Sequence, residues 1–265
     1  MDNDDYGNFE LDLLKSWQLR QGGEVVHVAA RQQRLIAVLA VRGDSLRNYV
    51  AGLLWPEYPE AKALESLRVT VHLVTRQLPG LVIKKGPVLS LDARTIVDLH
   101  RVRTALKAAG TADYAAAEIL LQDLRGLDFL PGWYEDWVLF EQSRLRHDQL
   151  RAFTLLAHRF TDAGDYGAAA DAAVAALELE PLYESAVRVL VTSELAQGNL
   201  ATALLAYDKY QEQLQRDMGV PPSEGLRHLV AGIRPQAPSP LLAAQEPLVA
   251  VLDSGLGQQP LLHNA

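Results

Sequence analysis

The chain has 265 residues, 49% of them hydrophobic, and no cysteine, which is enough for two ordinary domains and excludes disulfides and thiolate catalytic or metal sites. Its net charge of −8 is unevenly placed: residues 13–105 carry 14 Lys and Arg against 7 Asp and Glu, and residues 106–265 carry 11 against 21, so the first segment alone suits contact with phosphates. The acidic start, Met1-Asp2-Asn3-Asp4-Asp5, lacks a secretory pattern and no apolar run reaches spanning length, which predicts a cytoplasmic protein with no membrane contact.

Residues 1–8 read as a flexible acidic N-terminus. Phe9, Leu11 and Leu13 alternate, as do Val26 and Val28, with Gly22-Gly23 between the runs; this predicts short strands and a turn. Residues 31–41 read as a helix with Leu35, Val38 and Leu39 on one face, stopped by Gly43-Asp44. Ser45 is the expected N-cap of a short helix through Leu54, which Trp55-Pro56 ends. A third helix runs from about Pro59 to Gln77, before Pro79-Gly80. Residues 81–83 and 88–91 flank Lys84-Lys85-Gly86-Pro87 as a β-hairpin. Strands, three helices and a closing hairpin predict a winged helix-turn-helix over residues 9–96.

From residue 97 the chain reads as wholly helical and rich in alanine. Gly164-Asp165-Tyr166 and Gly198-Asn199-Leu200 open similar stretches 34 residues apart, with Ala169 matching Ala203, Ala173 matching Tyr207 and Glu178 matching Glu212. That period belongs to tetratricopeptide helix pairs, each covering the apolar face of the next. Gly110 to Ala117 is a looser relative. Residues 97–234 are thus expected to form a helical repeat domain that handles protein contacts. From residue 235 the chain turns proline-rich and loses its period, which reads as a flexible tail.

Rotation by about 100° per residue divides the third helix. Leu67, Val71, Val74 and Leu78 form its core stripe; Lys62, Glu65, Val69, His72, Leu73 and Arg76 point outward, with Arg68 and Thr75 on the flank. Arg76 and His72 suit base edges, and Arg68, Arg31, Lys84 and Lys85 suit phosphates. With Lys62 and Thr75 these make the expected DNA-binding set. The other reading of Arg68 is a surface pair with Glu65, and that of Lys84-Lys85 is a soluble hairpin tip.

The residues resemble the bacterial transcriptional activator domain of regulators of the Streptomyces antibiotic regulatory protein type. Glu180-Pro181-Leu182-Tyr183-Glu184, then Gly198 with Ala203, Leu204 and Tyr207, are similar to its repeat signature. Leu214 with Asp217-Met218-Gly219-Val220-Pro221-Pro222 and Leu226 are similar to its closing one. Earlier, Arg31-Gln32-Gln33-Arg34-Leu35, Leu53-Leu54-Trp55-Pro56, Ser66-Leu67-Arg68 and Val97-Asp98-Leu99-His100 stand in the family's order. The resemblance implies a mainly α fold, an OmpR-like winged helix-turn-helix followed by tetratricopeptide-like repeats. It also implies an activator that docks its third helix in the major groove of promoter DNA and uses its repeats for dimerisation or for a partner such as RNA polymerase. Positions 73 and 75 are Leu and Thr where such regulators often carry Arg or Lys.

A protein adaptor, meeting its partner through Val69 and Leu73, is the competing reading. An enzyme is not expected: the chain has no Gly-x-x-x-x-Gly-Lys loop, no His-Glu-x-x-His and no Gly-x-Ser-x-Gly, so no catalytic residue, cofactor or metal is assigned. Glu135-Asp136 reads as a solvated acidic helix face, and the aromatic residues that flank it, Trp133, Tyr134 and Trp137, read as a packing seam between the first helices of the helical domain or else a partner patch.

Overall fold

A computed structural model describes residues 8–232; the expected N-terminal segment, apart from Asn8, and the expected tail from residue 235 lie outside the described residues. The chain begins with β1 (Phe9–Asp12), where Phe9 and Leu11 turn to the core with a period of two. It pairs antiparallel with β2 (Gln18–Gln21), and β2 pairs with β3 (Glu24–Val25). Gly22 and Gly23 turn between them with φ of 59° and 85°, a conformation glycine adopts without strain. The strand before that turn shows no apolar alternation, because Leu19 is its one buried residue. Val26 and Val28, expected to alternate in a strand, lie beyond β3 and outside any strand, with Val28 buried.

α1 (Ala30–Arg42) buries Leu35, Ile36, Val38 and Leu39, and the Gln32 side chain accepts the Ala29 amide at its start. Gly43 closes it at φ 70°. Ser45 is not the cap of the next helix. Ser45–Leu46 is a strand, β4, held by a partner more than 40 residues away, so Leu46 becomes the N-cap of α2 (Arg47–Leu54) and offers no side-chain bond. α3 (Glu60–Gln77) follows Pro59. Then come β5 (Val82–Lys85) and β6 (Val88–Leu91), in a sheet of order β4-β6-β5 that forms the wing. β7 (Ile96–Val97) returns to lie parallel to β1. Two residues carry no local strand signal, and sequence reading passed over it.

The rest of the described chain is helical: α4 (Asp98–Ala108), α5 (Tyr114–Leu124), α6 (Asp136–Asp162), α7 (Tyr166–Leu179), α8 (Glu184–Ala196), α9 (Leu200–Met218) and α10 (Glu224–Ala231). α7 and α9 start at the two ends of the 34-residue period. Asp165 caps α7 by accepting the Ala168 amide at 2.9 Å, and Asp113 caps α5 through Ala116 at 2.8 Å. Asn199 instead donates its side chain to Glu194 at 2.9 Å. Ala169, Ala173 and Ala203 are fully buried in the helical core. The fold is mainly α, a winged helix-turn-helix followed by tetratricopeptide-like helix pairs.

One hydrophobic core runs from the winged segment into the repeats. Lys15 donates its amide to Asp128 at 2.8 Å, and Leu130 to Leu13 at 2.9 Å. Arg34 pairs with Glu135 at 2.5 Å, while Glu141 takes Arg42 on one oxygen and Arg103 on the other, at 3.0 and 2.6 Å. The aromatic run divides: Trp137 is buried edge-on against Phe129, Trp133 is half-buried, and Tyr134 is 80% exposed. Among the described residues no helix is long and apolar enough to cross a membrane.

Candidate nucleic-acid interface

The sequence of α3 sorts its own faces. Ala63, Leu67, Thr70, Val71 and Val74 are buried against the winged core, and the hydroxyl of Thr70 donates to the Ser66 carbonyl at 2.8 Å, so its polarity is satisfied inside the helix. Opposite this stripe Lys62, Glu65, Arg68, Val69, His72, Leu73 and Arg76 are all exposed. Arg68, His72 and Arg76 make no ion pair among the described residues, and Arg68 does not pair with Glu65. Thr75 is half-buried and donates its hydroxyl to the Val71 carbonyl at 2.8 Å, which leaves its methyl group and the acceptor lone pairs of its oxygen for any outside contact.

Lys62 and Arg31 are placed by aromatic rings. The Lys62 ammonium lies 4.3 Å from the centroid of Tyr58, in the loop before α3. The Arg31 guanidinium, on the first turn of α1, lies 5.0 Å from Trp55 and donates to the Ser66 carbonyl at 3.4 Å. Both contacts hold a long side chain along apolar surface with its charge still outward. Arg31 thereby joins α1 to the end of α2 and the middle of α3.

Lys84 and Lys85 do not sit in a four-residue loop. Both belong to β5, opposite Leu89 and Val88, and the turn is Gly86-Pro87 alone, with Gly86 at φ 58°. Adjacent strand residues point to opposite faces, so the two exposed ammonium groups spread to both sides of the wing. Sequence reading missed Arg47. Its amide donates to the Pro87 carbonyl at 2.9 Å and its Nε to Gly86 at 3.4 Å, so the first residue of α2 braces the wing turn and adds a cation there. The signal was the Arg itself, hidden by the placement of Ser45 as a cap.

The assembled surface is a helix face with three unpaired basic or imidazole groups, a cation at its first turn, and a basic wing. Glu65, Val69 and Leu73 interrupt it. No group of three or more His, Cys, Asp or Glu side chains among the described residues could hold a metal ion.

Residues 91–234, more than half of the chain, match the bacterial transcriptional activator domain. The chain belongs to the bacterial transcriptional activator domain family. No curated protein matches it. Among solved structures it is similar to Mycobacterium tuberculosis EmbR in complex with a low affinity phosphopeptide, with a TM-score of 0.66 and 21% identity. That likeness covers 85% of this chain and 65% of that one, so this activator-domain protein spans less than two thirds of the EmbR chain. At such identity the likeness is one of fold. It is wider than the family match: residues 91–265 are too few to supply 85% of the chain, so the shared fold extends into the winged segment. The bacterial transcriptional activator domain itself begins within β6, after α3 and after the tip of the wing.

Proposed function

We propose that this protein is a sequence-specific DNA-binding regulator of the Streptomyces antibiotic regulatory protein type, an activator, with residues 9–96 as its DNA-binding domain and residues 97–234 as its activator domain. α3 enters the major groove with Arg76 and His72 at base edges. Arg31, Arg68, Lys84 and Lys85 neutralise phosphates, with Lys62 and Thr75 at the margins and Arg47 beside the wing turn. The repeats serve dimerisation or contact with a protein such as RNA polymerase. The protein acts in the cytoplasm, without catalysis or cofactor.

The observation that carries this reading is the set of exposed, unpaired cations shared by the outward face of α3 and the two sides of the wing. Ordinary solvated faces alternate signs, whereas here one carboxylate, Glu65, stands among them. A gel-shift titration of the full chain on DNA upstream of its own gene tests it. Four neutralised phosphates predict a log–log salt slope of about −3.6, and Lys84→Glu with Lys85→Glu should abolish the shift. Retention unaffected by that pair of changes overturns the docking.

A second reading, an adaptor that has given up DNA, is favoured by one observation: Val69 and Leu73 are 47% and 43% exposed at the centre of the helix face. Its mark is a co-purifying protein and no retention on DNA even at low salt.

A further inference from the structure

Val69 and Leu73 do not fit a surface made for phosphates alone. They occupy the middle of the outward face of α3, ringed by exposed Arg68, His72 and Arg76. Apolar side chains held in water at such a place are stabilised when a partner covers them. The two guanidinium groups decide which partner. An apolar protein surface would have to strip water from guanidinium groups that have no ion pair to compensate. A duplex takes those groups on its phosphates and presents, in the floor of the major groove, one kind of apolar group: the 5-methyl of thymine.

Spacing agrees. Val69 and Leu73 are four residues apart, a rise of about 6 Å along the helix, and two base steps advance about 6.8 Å along the duplex axis. Glu65 stands one turn earlier on the same stripe. Phosphates repel a carboxylate, but the exocyclic amino group of cytosine donates to one. All three side chains that spoil the surface for backbone contact therefore suit base edges.

We infer that Val69 and Leu73 are specificity-determining residues that each pack on a pyrimidine 5-methyl group, the two methyls lying two base steps apart in the operator. This rests on the DNA-binding reading above and names what that site reads.

Selection of duplexes from a random pool by the full chain yields its preferred site. Each thymine of that site is then replaced by deoxyuridine, which removes the methyl and keeps the pairing, and affinity is read by fluorescence anisotropy at fixed salt. Two replacements, two steps apart, should each weaken binding about four-fold, the effect of one buried methyl-sized group. Val69→Ala should erase the penalty at one position and Leu73→Ala at the other, with both variants melting like the parent. If the parent binds the selected duplex yet no deoxyuridine changes affinity, or the penalties persist unchanged in both variants, the inference is overturned and DNA binding stands. If no duplex is enriched and none is retained at low salt, DNA binding falls and the inference falls with it.

Discussion

Arg42, in the last turn of α1, places a guanidinium nitrogen 3.0 Å from a carboxylate oxygen of Glu141 in α6. The Glu141 side chain is 2% exposed, and its other oxygen is held by Arg103 of α4 at 2.6 Å. Three elements, one from the winged segment and two from the helical one, thus meet on a single buried carboxylate. Removing it leaves two arginines, each about a quarter exposed, with their charges uncompensated.

Glu141→Ala should therefore destabilise the fold by about 3 kcal/mol, the lower end for a broken buried ion pair because the arginines keep some water. Urea denaturation followed by circular dichroism measures it. A loss below about 1 kcal/mol would show that α1 and α6 are held by apolar packing alone.

Arg47 should matter to DNA affinity through the wing it braces. Arg47→Ala removes the side-chain contact with Gly86 but leaves the backbone bond to Pro87. Binding should weaken several-fold, uniformly across sequences, while the salt slope stays at about −3.6, because Arg47 is not one of the four phosphate contacts. A change confined to one base position of the operator would assign Arg47 to base reading instead.

Ala173 of α7 is fully buried, and the repeat places Tyr207 at its counterpart in α9. The two helices are not interchangeable, because α7 is packed by α6 on one side and α8 on the other. Ala173→Leu should cost about 2 kcal/mol by overpacking, read as a lower urea midpoint with unchanged slope. Stability equal to the parent's would mean that the α6–α7–α8 seam has room for a larger side chain.

Glu184 anchors the start of α10. Its carboxylate accepts the amide of Ser223 at 3.0 Å and the hydroxyl of Tyr210 at 3.1 Å. Burial pushes the Glu184 carboxyl up, but hydrogen bonds from Ser223, Tyr210 and Arg188 outweigh it and hold it below its ordinary value of 4.5. A depressed carboxyl contributes stability that is fully present above the unfolded value and is lost as pH falls through the folded one. Acidification below about pH 4.5 should therefore loosen α10, seen as faster amide exchange over Glu224–Ala231. Glu184→Gln should show fast exchange already at neutral pH and little further change in acid.

The elements legible in the sequence are those whose burial follows spacing along one helix. The faces of α3 could be read because a 3.6-residue period fixes which side chains point together, whatever packs against them. The starts of α7 and α9 could be read because the same glycine-led turn, Gly164 and Gly198, recurs 34 residues apart. Tertiary structure alone decided the remainder. β4 and β7 are two residues long and exist through β6 and β1, partners far off in the chain. Arg47 meets the wing across 39 residues. Glu141 reads as one more acid in an acidic helical half until α1 and α4 close over it. Pairings between distant segments depend on where the backbone brings two groups, and no local pattern of polar and apolar residues encodes that meeting.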